Sequence, residues 1–220
     1  MFKSKIAPSL LSCDFSKLKD EIKAVEKAGA DLLHLDVMDG HFVPNLTIGP
    51  FIVEAIRRCT DLPLDAHLMI QYPDRYIKEF ILAGANMVSF HVEVSINPKA
   101  TIELIQKSKA KAGLALNPDT PISTIKDFLP LIDYVLVMSV HPGFAGQTFI
   151  ESSLEKIIDL KKYRTVRKLS FEIEVDGGIK AANIGKTAKA GANIFVAGSG
   201  IFKTKDYGKT ILQMRRDVNL

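Results

Sequence analysis

The chain has 220 residues, 47% of them hydrophobic and 25% charged, ordinary values for a soluble globular protein. Its net charge of +4 comes from 29 basic and 25 acidic side chains spread along the sequence, so it has no basic block suited to nucleic acid. No apolar run approaches the roughly 18 residues of a membrane span, and the two cysteines, Cys13 and Cys59, are too few for a disulfide scaffold and lack metal-site spacing.

The opening "MFKSKIAPSLL" lacks a signal-peptide core and runs directly into a strand-like segment. The expected compartment is therefore the cytoplasm, with both cysteines as buried thiols. In chain order, strand patterns cover 4–9, 31–37, 63–69, 86–92, 112–116, 133–139, 169–175 and 193–197. Helical patterns fall between and after them, at 15–28, 50–59, 74–83, 97–110, 121–129, 153–163, 181–190 and 207–216. Leu18, Ile22, Val25 and Ala28 show the three-and-four spacing of an amphipathic helix.

Three connections read almost alike: "KAGADLL", "LAGANMV" and "KAGANIF". Each places a glycine (Gly29, Gly84 or Gly191) where a helix stops and an apolar run begins. "KAGLAL" adds Gly113 to the same rhythm, whose unit is about one eighth of the chain. Eight strands alternating with eight helices imply a parallel sheet, and at this length a single (β/α)8 TIM barrel over residues 1–220. An open doubly wound sheet is the alternative, but the Gly-x-Gly-x-x-Gly fingerprint of a dinucleotide fold is absent after the first strand.

Active sites of such barrels gather at the C-terminal ends of the strands. All five histidines (His34, His41, His67, His91 and His141) are expected late in strands or just after them. In the second strand His34, Asp36 and Met38 share a face, and in the third Asp65, His67 and Met69 do so. In the seventh, Glu172, Glu174 and Asp176 are in phase. His34, Asp36, His67 and Asp176 thus converge on one barrel mouth, where buried carboxylates need partners or a metal. A divalent cation would satisfy all four, and two imidazoles with two carboxylates suit zinc, with Fe2+, Mn2+ or Co2+ as alternatives. Glycine clusters at "HPGFAGQ", "DGG" and "AGSG" follow the sixth, seventh and eighth strands, where barrels commonly cradle phosphate.

The segments "IAPSLLSCDF", "HLDVMDGHFVPNLTIGP", "DAHLMI", "HPGFAGQ", "EVDGGI" and "VAGSGIF" resemble, in order and spacing, the ribulose-phosphate 3-epimerase family over essentially the whole chain. The resemblance implies a ribulose-phosphate-binding barrel that interconverts D-ribulose 5-phosphate and D-xylulose 5-phosphate in the pentose phosphate pathway. It further implies Asp36 and Asp176 as the acid/base pair on opposite faces of substrate C3, and His34, Asp36, His67 and Asp176 as metal ligands. Ser9 and His67 would contact substrate. Gly143, Phe144, Ala145 and Gly146, with Gly177, Gly178, Gly198 and Ser199, would hold its phosphate. Met38, Met69 and Met138 would line the pocket, although plain barrel packing explains them equally well.

A homo-oligomer, dimer or hexamer, is expected from the family, with no nucleotide cofactor, no nucleic acid and no membrane partner. A hexulose-phosphate epimerase, acting for example on allulose 6-phosphate, is the nearest alternative. A lyase of the same superfamily would carry Asp-x-Lys-x-x-Asp at the end of strand two, whereas this chain has Asp36, Val37, Met38 and Asp39 there. A non-catalytic sugar-phosphate binder would have lost a carboxylate or a ligand, and none is missing.

Overall fold

The computed structural model describes residues 2–219, so Met1 and Leu220, at the ends of the expected domain span, lie outside the described residues. Eight parallel strands build the sheet: β1 (Lys5–Pro8), β2 (Leu33–Met38), β3 (Leu64–Met69), β4 (Met87–His91), β5 (Lys111–Leu116), β6 (Tyr134–Met138), β7 (Glu172–Asp176) and β8 (Ile194–Ala197). All eight fall where the apolar runs place them. Their order, β1-β8-β7-β6-β5-β4-β3-β2, curls the sheet into a barrel. Between β1 and β2 the seam holds by one parallel bridge, Ser9 to His34. Two hydrogen bonds between Asp31 and Ile6 support it: Asp31 N–H to Ile6 O at 3.0 Å, and Ile6 N–H to Asp31 Oδ2 at 2.9 Å.

Eight α-helices cover the barrel: α1 (Leu18–Lys27), α2 (Pro50–Arg57), α3 (Ile77–Leu82), α4 (Pro98–Lys107), α5 (Ser153–Arg167), α6 (Ala181–Ala190), α7 (Ser199–Phe202) and α8 (Tyr207–Val218). Their apolar faces bury Ile22, Val25, Val53, Ile56, Ile157, Leu160, Ile184 and Ile211 against the outward side chains of the strands. None of these helices is long and apolar enough to cross a membrane. Cys13 and Cys59 are free thiols and only half-buried, not fully buried as expected.

Two expectations need correction. The run 121–129 forms no α-helix, only a 3-10 turn at Ile122–Thr124 followed by further turns. Pro121 and Pro130 bracket it, the second biasing Leu129 away from helical backbone, and Ile122, Thr124 and Ile125 are β-branched. Ile125 and Leu129 still reach the core. Gly113, in turn, is no helix stop. It lies inside β5, and Lys109 makes the left-handed turn after α4 with φ +66°. Gly29, Gly84 and Gly191 do adopt positive φ at their helix ends. One helix the patterns did not indicate, the single turn α7, follows β8 directly.

Candidate active site

Strand register explains why the distant polar residues meet. Asp36 of β2 sits beside His67 of β3, and His34 beside Asp65. Adjacent residues of a parallel pair point to the same side, so all four enter the barrel. Asp176 ends β7 opposite Met138 of β6. His34 is the second residue of β2, not a late one as expected; its ring reaches the cluster from one layer below Asp36.

The four donors converge closely. His34 Nε2 lies 3.7 Å from Asp36 Oδ1 and 3.8 Å from Asp176 Oδ2. His67 Nδ1 lies 3.9 Å from Asp36 Oδ1 and 3.8 Å from Asp176 Oδ2. Both imidazoles are fully buried, and neither His34 Nε2 nor His67 Nδ1 has a hydrogen-bond partner. Buried nitrogens without partners are costly. The separations slightly exceed the roughly 3.4 Å edge of a tetrahedral site with bonds near 2.1 Å. These residues therefore fit a small divalent cation by chemistry, size and unmet valence.

Below the cluster lies a buried polar layer. His34 Nδ1 is 2.8 Å from Asp65 Oδ2, and the Tyr134 hydroxyl donates to Asp65 Oδ1 at 2.6 Å. A carboxylate on the remote nitrogen of an imidazole orients the ring and turns its other nitrogen outward. Glu174 is fully buried, with its Oε1 3.4 Å from His34 Nδ1. Burial and the neighbouring Asp65 push its carboxyl well above the usual range. At the bottom of β7, Glu172 pairs with Lys5 at 2.8 Å. The face shared by Glu172, Glu174 and Asp176 thus runs from a structural ion pair up to the cluster.

Electrostatics separate the two imidazoles. Burial opposes charge on His34, but Asp36, Asp65 and Glu174 overcome it and hold its pKa well above the usual imidazole value. Burial and the neighbouring His91 and His34 push His67 well down. Burial and the facing charge of Asp36 raise Asp176 to about 7.

Above the cluster opens a cleft with about 500 Å³ of empty space, its mouth included. Asp36 and Asp176 line it, whereas His34 and His67 lie behind them. Met38, Met69 and Met138 form the apolar wall, Met138 brought in by its register with Asp176. Gly143, Phe144, Ala145, Gly146, Gly177, Gly178, Gly198 and Ser199 form the rim. Gly177 and Gly178 have φ of +123° and +65°, and a Cβ at Gly178 would come within 2.6 Å of the Phe149 nitrogen. Backbone packed this closely leaves peptide groups to line the rim. Ser9 also lines the cleft, and its hydroxyl is spent on Asp36 Oδ2 at 2.6 Å.

His41 and His141 are exposed near the rim, His141 Nδ1 lying 3.8 Å from Asp119. His91 is fully buried behind His67. Tyr134 and Glu93, both tied to this network, carried no signal in the sequence reading.

Comparison with known proteins decides the family. A model of the Ribulose-phosphate 3 epimerase family matches residues 5–202. The chain belongs to the ribulose-phosphate 3-epimerase family. It is 51% identical over 212 residues to the ribulose-phosphate 3-epimerase of Bacillus subtilis strain 168, covering 96% of this chain and 98% of the relative. The Escherichia coli K12 ribulose-phosphate 3-epimerase is 44% identical over 214 residues, covering 97% and 95%. The chloroplastic ribulose-5-phosphate-3-epimerase of Arabidopsis thaliana is 52% identical over 208 residues, covering 94% of this chain and 74% of the relative. Among solved structures, a ligand complex of KGPDC from Streptococcus mutans superposes with a TM-score of 0.75 at 18% identity, covering 98% of this chain and 97% of the other. A 3-hexulose-6-phosphate synthase gives 0.70 at 18% identity, covering 97% and 99%. At such identity, what these two share with the epimerase chain is the barrel fold alone.

Proposed function

We propose that the chain interconverts D-ribulose 5-phosphate and D-xylulose 5-phosphate by moving the proton at C3. The observation that carries this reading is the pair Asp36 and Asp176. They approach the same two imidazoles from different strands and are the carboxylates of the glycine-rimmed cleft.

Inverting C3 requires a base on one face and an acid on the other, and the reverse reaction exchanges their roles. Asp36, whose Oδ2 accepts the Ser9 hydroxyl and whose Oδ1 faces the two imidazoles, would act as the base toward the C3 proton. Asp176, raised to about 7, can hold a proton for delivery to the opposite face. Met38, Met69 and Met138 would set an apolar wall beside the reacting carbon.

His34, Asp36, His67 and Asp176 would hold one divalent cation, zinc by donor type with Fe2+, Mn2+ or Co2+ as alternatives. Such an ion supplies Lewis-acid stabilisation for the oxygen charge that develops as the C3 proton leaves. The 143–146 loop and the peptide groups of Gly177, Gly178, Gly198 and Ser199 would take the phosphate, as barrel loops after strands seven and eight commonly do. The relatives' printed names favour the pentulose over a hexulose phosphate. Exposed Tyr72 and Tyr76, beside Ile48 and Pro50 in a second groove, support a homo-oligomer, which light scattering would size.

Incubation with ribulose 5-phosphate in D2O tests the reaction. Deuterium should appear at C3; exchange at C1, or none in metal-replete protein, overturns the reading.

A further inference from the structure

Each cluster imidazole uses one nitrogen on the cluster and the other elsewhere. For His34 the other nitrogen meets Asp65. For His67 it meets a second imidazole, with Nε2 2.9 Å from His91 Nε2. The two rings stack with centroids 5.0 Å apart, and Phe42 packs against His91 at 4.7 Å. Two imidazole nitrogens at hydrogen-bond distance share one proton. Which ring carries it decides whether His67 Nδ1 turns a lone pair or a hydrogen toward Asp36 and Asp176.

Glu93 resolves that choice. Its Oε1 accepts the Asn117 N–H at 2.8 Å and the Thr120 hydroxyl, and its Oε2 faces His91 Nδ1 at 3.1 Å. The loop holding Oε1 is itself pinned, because Lys156 Nζ donates to the carbonyls of Asn117, Pro118 and Thr120 at 2.8, 2.9 and 2.7 Å. A carboxylate only accepts, so His91 Nδ1 must donate to it. The bare His91 Nε2 then accepts from His67 Nε2–H, and His67 Nδ1 is left with its lone pair.

We propose that Glu93 and His91 are positioning residues that set the tautomer of His67 and thereby its capacity to ligate a divalent cation. Neither supplies an atom to the four-donor cluster. The proposal rests on the cation reading given above.

Glu93→Gln is the informative variant. Its amide oxygen keeps the two loop donors, so its NH2 replaces Oε2 before His91 Nδ1. A donor there reverses the chain: His91 Nε2–H donates, His67 Nε2 accepts, and the His67 proton moves to Nδ1. Two measurements on the purified full chain read this out. One is Co2+ affinity of metal-free protein, from visible absorption in competition with a chelator. The other is long-range proton–nitrogen NMR of the histidine rings without metal.

Glu93→Gln should weaken Co2+ binding about 10- to 100-fold, the usual cost of losing an outer-shell partner. It should also move the His67 proton from Nε2 to Nδ1. His91→Phe, which removes the acceptor, should weaken Co2+ comparably, and adding Glu93→Gln to it should cost nothing more. Unchanged Co2+ affinity in Glu93→Gln, additive losses in the double variant, or an Nδ1–H tautomer in the wild-type chain would overturn the relay. The wild-type tautomer and His91→Phe decide the matter even where Glu93→Gln does not fold. A wild-type chain that binds no Co2+ yet carries Nε2–H on His67 would instead overturn the cation reading and leave the relay standing.

Discussion

Gly113 and Tyr134 are register partners on β5 and β6, and the tyrosine ring occupies the space a Gly113 side chain would need. A Cβ at Gly113 would fall 2.2 Å from Tyr134 Cζ. The ring cannot move away cheaply, because its hydroxyl is bonded to Asp65, which in turn holds His34. A missing side chain on one strand thus positions a ring that orients a cluster imidazole through Asp65.

Gly113→Ala should therefore cost about 1–3 kcal/mol of stability through overpacking, read as a lower urea midpoint. Tyr134→Phe should cost about 1–3 kcal/mol as well, by leaving a buried carboxylate oxygen without its donor. Both variants should also weaken divalent-cation binding. A Tyr134→Phe chain with unchanged cation affinity would show that Asp65 holds His34 unaided.

Asp36→Asn and Asp176→Asn should each lower epimerisation by about 100-fold or more, the scale on which acid/base catalysis contributes. Interconversion measured with a coupled assay checks this. Near-normal turnover in either variant would refute a mechanism with one carboxylate per face.

Removing divalent metal with a chelator should abolish turnover, and adding Zn2+ back should restore it together with thermal stability. With free ion at about 100 times its dissociation constant, the folded state gains about 2.7 kcal/mol. A melting temperature indifferent to Zn2+ would contradict the four-donor assignment.

Glu93 makes acid sensitivity predictable. Burial opposes its ionisation, but hydrogen bonds from His91, Thr120 and the Asn117 N–H win and hold the carboxyl at about 2, against an ordinary 4.5. A carboxyl that titrates lower when folded stabilises fully above its unfolded value, and that contribution is lost as pH falls from 4.5 towards 2. The urea midpoint should drop over this window more steeply in the wild-type chain than in Glu93→Gln. Parallel slopes would mean that the Glu93 bonds do not survive in solution.

Strand positions were legible because buried parallel strands write continuous apolar runs, and His34, Asp36, His67 and Asp176 interrupt those runs. The glycine rim was legible for the same reason, as small residues at strand ends. Gly113 was not: its "KAG" context copies a helix stop, and only the register with Tyr134 reveals a steric role. Glu93 and Tyr134 were invisible on similar grounds. Each matters through a partner on another strand or loop, and spacing along the chain says nothing of which residues lie side by side. The helix expected over 121–129 failed locally, where Pro130 disfavours helical backbone at Leu129 and Ile122, Thr124 and Ile125 are β-branched.

The bridge from Ser9 to His34 gives the barrel a weak join between β1 and β2. The four donors come from β2, β3 and β7, so they straddle that join with β8 and β1 between them. An ion gripped from both sides would rivet the barrel shut at its least stitched point. Amide hydrogens along β1 and β2 should then exchange with solvent more slowly in loaded protein, which makes the fastening of the fold and the arming of its chemistry a single event.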